Sequence, residues 1–116
     1  MNLKVNQAFN SELKIAQEKK LQKSFAAAWY HLERAHILSQ AFVWPHIYVH
    51  WRMFVIAVRT MDFREILGQI PRLILAGPGS FFGRAPKGNT GRSNVGIFTP
   101  MKISDELERI LHDEHH

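Results

Sequence analysis

Two helices and the turn between them are encoded by SFAAAWYHLERAHILSQAFVWPHIYVH, residues 24–50. The first half is rich in helix-forming residues, and Ser24 stands where it can cap a helix over about residues 24–41. Pro45 stands at the start of a further helix that should run to about Arg59, because the first turn of a helix tolerates the missing N–H. The stretch therefore predicts an antiparallel helical hairpin that turns at residues 42–45.

Four side chains of this hairpin have the spacing of a metal site. Glu33 and His36 are three residues apart, and His46 and His50 are four apart. On helices, each spacing places both side chains on one face, so an antiparallel hairpin brings His36 opposite His50. Imidazole and carboxylate ligands suit zinc and iron. We therefore predict a mononuclear site for a divalent transition metal, zinc favoured, with these four residues as ligands and Gln40 as the nearest substitute.

Two other functions stay open at this point. The hairpin could be a metal-free protein-interaction module in which Glu33 pairs with Arg34 or Arg52. It could instead belong to a metal-dependent enzyme in which Gln40 or Tyr48 assists a bound water. Zinc-protease chemistry is not expected, because the residue after His46 is isoleucine and not the catalytic glutamate of that motif.

The flanking segments extend the pattern to a small all-α protein. Residues 5–22 have the amphipathic pattern of a first helix. Asp62 can cap a fourth, shorter helix with apolar residues between positions 66 and 75, and Glu65 stands at the capping-box position. Gly77 and Pro78 are expected to end that helix. We predict an antiparallel bundle of about four helices over residues 1–76 of a single domain, 1–116.

Residues 77–100 have a different composition, with six glycines, three prolines and no acidic residue. We expect an ordered wrapping loop that its phenylalanines at 81, 82 and 98 hold against the helices. Arg84, Lys87 and Arg92 could bind an anion together with the loop amides, although glycines serving tight turns are the more ordinary explanation. Ser104 should cap a short terminal helix in residues 101–116, which end in a histidine-containing tail.

Composition excludes several classes of site and partner. The chain has no cysteine, which rules out disulfides, thiolate metal sites and cysteine nucleophiles. The net charge of +5 is divided between two modest patches, so we expect no nucleic-acid partner. The most apolar stretch, 42–58, is too short and too polar to span a bilayer, and the N-terminus lacks a signal-peptide run. We expect a cytoplasmic protein without a membrane partner, in which a homodimer stays open.

Three segments together resemble a small bacterial family of unknown function: AWYHLERAHILSQ at 28–40, GQIPRL at 68–73 and GNTG at 88–91. Leu-Glu-Arg-Ala-His is the hallmark of that family, and His46 and His50, followed by Trp51 and Met53, also match its pattern. The resemblance covers about residues 25–105, and Pro71 departs from the family's usual aliphatic residue. Members resemble proteins encoded among heavy-metal resistance genes, which implies a role in metal homeostasis or resistance.

Overall fold

Five α-helices make up the regular structure of the protein. The computed structural model describes residues 1–83 and 85–114, within which there is no strand and no helix long and apolar enough to cross a membrane. The helices are α1 (Leu3–Leu21), α2 (Phe25–Ser39), α3 (Val43–Arg59), α4 (Phe63–Phe81) and α5 (Asp105–Glu114). α1 packs on α2, α3 packs on α4, α2 contacts α3, and α5 lies against α1 and α2. The prediction of an all-α fold is confirmed.

Two of the three predicted helix caps are present. The Asp62 side chain accepts a hydrogen bond from the backbone N–H of Glu65 at 3.3 Å, at the start of α4. Ser104 Oγ accepts the N–H of Leu107 at 3.4 Å, in the first turn of α5. Ser24 occupies the N-cap position of α2, but its side chain makes no capping hydrogen bond. The Glu65 side chain does not close a capping box either, because it bonds to the loop after α4.

α4 is longer than the sequence predicts. Gly77 and Pro78 do not end it, and the helix continues to residue 81 with Pro71 also inside it. A proline within a helix leaves the carbonyl four residues earlier without its usual donor. Those carbonyls belong to Leu67 and Ile74, whose side chains are 70% and 68% exposed. Because both positions face solvent, water can satisfy the free carbonyls and the helix continues.

The hydrophobic core lies between α1, α2 and α3. It includes Trp29 and Leu32 from α2 and Met53 and Ile56 from α3. Alanines on all three helices allow their backbones to approach closely. The cluster of buried residues comprises Phe9, Ala16, Ala28, Trp29, Leu32, Ala35, Val49, Met53, Ile56 and Ala57.

α4 turns its polar side toward the rest of the protein. Glu65, Gln69 and Arg72 are buried on this helix at helical spacing, and Ser80 continues the stripe two turns later. Most of its large apolar residues lie on the other side, where Leu67 is 70% exposed, although Ile66 packs against the core. Hydrophobicity alone predicts the reverse orientation. The result is an exposed apolar face on α4, of the kind that marks interaction surfaces.

The irregular segment after α4 is held by polar contacts. Phe81, Phe82 and Phe98 are 74%, 68% and 73% exposed, so the prediction that these rings hold the segment against the helices is wrong. The amide of Gln40 does so instead, since its Nε2 donates to the Pro86 carbonyl at 2.7 Å and its Oε1 accepts the Gly88 N–H at 3.0 Å.

Two leucine variants test this assignment of core and surface. Leu32 is 2% exposed, and Leu32→Ala should lower the free energy of unfolding by about 2–5 kcal/mol. Leu67→Ala removes the same atoms from an exposed position and should change it by less than about 0.5 kcal/mol. Urea unfolding followed by circular dichroism measures both. Equal losses would show that the apolar side of α4 is covered in solution.

Candidate metal centre

Three imidazoles from two helices meet in the interior of the protein. His36 comes from α2, and His46 and His50 come from successive turns of α3. The Nε2 atom of His36 lies 3.0 Å from the Nε2 atoms of both other histidines. All three residues are buried, and their ligand atoms lie within 4.8 Å of one another. This cluster, called the His cluster below, is a group that could hold a metal ion.

The other ring nitrogens of His36 and His50 are bound to acceptors. His36 Nδ1 lies 2.7 Å from the backbone carbonyl of Asn89, which can only accept. His50 Nδ1 lies 2.8 Å from Gln69 Oε1. The orientation of the Gln69 amide is set by its Nε2, which donates to a Glu65 carboxylate oxygen at 3.1 Å and to the Gly91 carbonyl at 2.8 Å. Both histidines therefore carry their proton on Nδ1.

His46 has the same tautomer for a related reason. Its Nδ1 lies 2.7 Å from Ser80 Oγ, and the Ser80 hydroxyl donates its own proton to the backbone carbonyl of Gln40. Because the hydroxyl proton is already used, Ser80 accepts from His46 Nδ1–H. All three Nε2 atoms consequently present lone pairs to one another.

Converging lone pairs without a donor between them are unfavourable, because each buried acceptor is left unsatisfied. A cation at the centre of the three Nε2 atoms removes this cost. Nitrogens bound to one zinc ion at about 2.1 Å lie roughly 3 to 3.4 Å apart. The two separations from His36 Nε2, both 3.0 Å, lie at the short end of this range, and the three ligand atoms all lie within 4.8 Å of one another. Metal-bound histidines also characteristically donate their other N–H to a protein oxygen.

The electrostatics of the His cluster favour neutral imidazoles. Burial lowers the pKa of His46 to about 3, and the neighbouring His50 adds to this effect. Burial also lowers the pKa of His50 to about 4, with a further contribution from the Arg72 guanidinium. The pKa of His36 lies well below its usual range, again because of burial and the two adjacent imidazoles. Neutral imidazole is the form that binds metal ions.

The irregular segment after α4 fixes the orientation of His36. The Asn89 side-chain amide donates to the Gly96 and Thr99 carbonyls at 2.9 and 2.7 Å, and its Oδ1 accepts the Gly91 N–H at 2.9 Å. Gly91 has φ +85°, and a Cβ there would lie 2.7 Å from Cδ2 and 2.9 Å from Nε2 of the His36 ring. The loop backbone thus packs directly on the imidazole, which only glycine permits.

The structure does not bring Glu33 into the His cluster. Its carboxylate is 3.9 Å from a guanidinium nitrogen of Arg92. Burial raises the pKa of Glu33, while Arg92 opposes the shift and Glu65 adds to it. Arg34, which the sequence offered as a partner, pairs instead with Glu12 at 2.8 Å.

Two of the three residues predicted to bind an anion, Lys87 and Arg92, are among the residues that the structure describes. Arg92 Nε donates to Glu65 at 2.8 Å, and the Arg92 guanidinium lies 3.9 Å from the centre of the Trp29 ring. Lys87 is exposed. Arg84 lies outside the described residues, as do the terminal His115 and His116.

An open cavity adjoins the His cluster. It has a volume of about 220 Å³, and the three histidines, Gln40 and Arg72 supply polar groups to its wall. The rest of the wall is mainly apolar. Tyr48, proposed from the sequence to assist a bound water, is 45% exposed and accepts a hydrogen bond from Arg52 at 3.3 Å outside this cavity.

Four residues that support the His cluster were not predicted as part of the site: Gln69, Ser80, Asn89 and Glu65, the last of which had been assigned to a helix cap. For three of them, the helical spacing of polar residues in the sequence indicated that they lie on one side of α4. Glu65, Gln69 and Ser80 share the polar stripe of α4, which includes Arg72. A polar stripe opposite an apolar one is normally solvated, so only the packing of α4 shows that it is buried.

Acidification should destabilise the metal-free protein. Well above pH 6.5 the three histidines are neutral in both the folded and the unfolded state, so they do not change stability with pH. As the pH falls through 6.5, the unfolded chain binds protons that the buried imidazoles of the folded state do not bind. Stability should therefore fall as pH drops from 6.5 to 4, by up to about 4 kcal/mol per pH unit for three groups. Urea unfolding of chelator-treated protein measures the slope. His46→Gln should reduce it by about a third, and an unchanged slope would contradict the burial of neutral His46.

Two glycine variants test the contact between the loop and His36. Gly91→Ala introduces both backbone strain and a collision with the imidazole. Gly83→Ala is the matched control, because Gly83 also has positive φ, +67°, but a Cβ there meets nothing within 4 Å. Gly83→Ala should cost about 1–2 kcal/mol of unfolding free energy, and Gly91→Ala clearly more. Urea unfolding compares them, and equal losses would refute the close packing on His36.

Comparisons with known proteins identify a family but no activity. No curated protein and no solved structure matches the chain. The model of the family described as "Protein of unknown function (DUF3703)" matches residues 3–111. This range includes the three histidines of the His cluster and most of the terminal helix. The chain belongs to this family of proteins of unknown function.

Proposed function

We propose that the protein binds a divalent transition metal ion through the Nε2 atoms of His36, His46 and His50. The observation that carries the proposal is the set of three Nδ1 hydrogen bonds, which leaves three Nε2 lone pairs converging in a buried site. A shared proton is the poorer explanation. It would bridge only two of the nitrogens, and the lowered pKa values of all three imidazoles oppose it.

Zinc is the favoured metal. Three imidazoles with a fourth position open form a ligand set of catalytic zinc sites, and imidazole is a preferred ligand of this ion. Non-haem iron enzymes use two histidines and a carboxylate on one face of the metal. Among the described residues no carboxylate joins the His cluster, since Glu33 lies beside Arg92 and Glu65 is bonded to Arg92 and Gln69.

The cellular role we propose is metal handling, in homeostasis or resistance. Support for it comes from the buried, neutral ligand set and from the likeness to proteins encoded among heavy-metal resistance genes. A metal-dependent enzyme is the second candidate, favoured by the open cavity beside the His cluster. A bound ion there would act as a Lewis acid toward a molecule in the cavity.

Metal titration of the untagged protein tests the site. Isothermal titration with zinc, cobalt and nickel should show one tight site, confirmed by metal analysis after dialysis. Loss of a hydrogen-bonding partner of a metal-bound histidine typically costs 10–100-fold in affinity, so Gln69→Ala should fall in that range. His36→Ala, His46→Ala and His50→Ala should each lose at least about 100-fold.

The matched controls are His31→Ala and Glu33→Gln. His31 accompanies His36 on α2 but bonds to Glu12 at 2.6 Å, and Glu33 lies outside the His cluster. Both variants should bind metal as the wild type does. All proteins should carry His112, His115 and His116 changed to alanine, so that the tail cannot contribute. Equal binding by the His36, His46 and His50 variants would refute the site, and a loss in Glu33→Gln would restore Glu33 as a ligand.

A further inference from the structure

A buried arginine beside the His cluster lacks a counter-charge in direct contact. Arg72 is 9% exposed, and its two terminal nitrogens donate to the Gly68 and Val95 carbonyls at 2.9 and 2.8 Å. Its Nε is buried without a hydrogen-bond partner. No carboxylate of the described residues lies within ion-pair distance of it. Burying a cation with only neutral partners is costly, and burial accordingly lowers the pKa of Arg72.

The nearest carboxylate is already engaged. Glu65 Oε1 accepts from Arg92 Nε at 2.8 Å, and Glu65 Oε2 accepts from Gln69 at 3.1 Å and from Ser93 Oγ at 3.1 Å. Glu65 acts on Arg72 only through space, where it partly offsets the effect of burial on the pKa of Arg72. Arg92 also lies 3.9 Å from the Glu33 carboxylate, so both nearby carboxylates pair with Arg92 and neither contacts Arg72.

Arg72 and the His cluster share the wall of the same cavity. Both the Arg72 side chain and the three imidazoles line it. Other parts of the lining are apolar and include Leu75, Phe82 and Ile97. Among the described residues that line the cavity there is no aspartate or glutamate.

Metal binding would add positive charge to a cavity whose described lining has no carboxylate. A divalent ion on three neutral imidazoles adds two positive charges beside Arg72, in surroundings that screen charge poorly. The protein residues described here supply no anion to offset them. An anion from solution would do so, and a ligand with an apolar body matches the mainly apolar lining.

We propose, resting on the metal site proposed above, that the cavity binds a small carboxylate with a short apolar body. The carboxylate occupies the open position of the metal and lies beside Arg72, and the apolar body contacts the wall formed by Leu75, Phe82 and Ile97. The size follows from the cavity volume of about 220 Å³. A cavity of about 150 Å³ holds benzene, so a ligand of the size of benzoate fits. A phosphate, more strongly hydrated and without an apolar part, matches the wall less well.

The test uses the full chain loaded with cobalt, whose visible spectrum reports its coordination. Benzoate should change the spectrum, whereas benzyl alcohol, which has a similar shape without charge, and inorganic phosphate should not at the same concentration. Arg72→Met should weaken benzoate binding at least about tenfold, corresponding to about 1.4 kcal/mol, with cobalt binding retained. Arg72→Lys keeps the charge and should lose less. Arg64→Met, an exposed arginine on α4, should behave as wild type.

Distinct results overturn the two proposals. Absence of a cobalt spectrum in the wild type refutes the metal site. A cobalt spectrum that benzoate leaves unchanged refutes the carboxylate ligand alone, as does a spectrum that only phosphate changes. Benzoate binding of equal strength in Arg72→Met and wild type refutes the role of Arg72. If Arg72→Met does not bind cobalt, the benzoate affinities of Arg72→Lys and Arg64→Met are compared instead. Equal affinities of these two variants would count against a role for Arg72.

Discussion

Three hydrogen bonds at imidazole Nδ1 atoms fix the tautomers and the orientations of the buried histidines. They bind His36 to a loop carbonyl, His46 to the Ser80 hydroxyl and His50 to the Gln69 amide. Each of these acceptor groups is held in its orientation by a second hydrogen bond, so it accepts the Nδ1 proton and does not turn a donor toward the imidazole. The tautomers are thereby set, and the Nε2 lone pairs point toward a common centre. A cation there removes the repulsion among them, so the arrangement resembles a preorganised ligand set.

The same bonds explain why α4 buries its polar side. Ser80 and Gln69 must face the imidazoles, and Glu65 must face Gln69 and the Arg92 side chain. A helix has one orientation about its axis, so the apolar residues at 67, 70 and 74 are left exposed. The protein therefore does not gain the free energy of burying those apolar side chains, and it forms the polar network around the His cluster instead.

The loop after α4 completes the enclosure of the His cluster through its backbone. The Asn89 carbonyl orients His36, and Gly91 packs on the same ring. Gly88 packs equally closely, since a Cβ there would collide with the Met101 carbonyl. Glycines at these contacts explain the composition of residues 77–100 better than a phosphate-binding loop does. The rings of Phe81, Phe82 and Phe98, which hydrophobicity would place against the helices, are mostly exposed instead.

Local sequence was sufficient to predict α1, α2, α3 and the start of α4. It was also sufficient to identify His36, His46 and His50 as candidate metal ligands. Helix propensity, the turn at residues 42–45 and the spacing of the histidines act over one or two turns, so they can be followed along the chain. Three features were decided only by tertiary structure: the orientation of α4, the exclusion of Glu33 and the inclusion of Gln69, Ser80 and Asn89. Each depends on hydrogen bonds between residues far apart in sequence, such as His36 with Asn89. Local hydrophobic pattern cannot report such bonds, because a polar stripe has the same sequence whether water or a buried imidazole faces it.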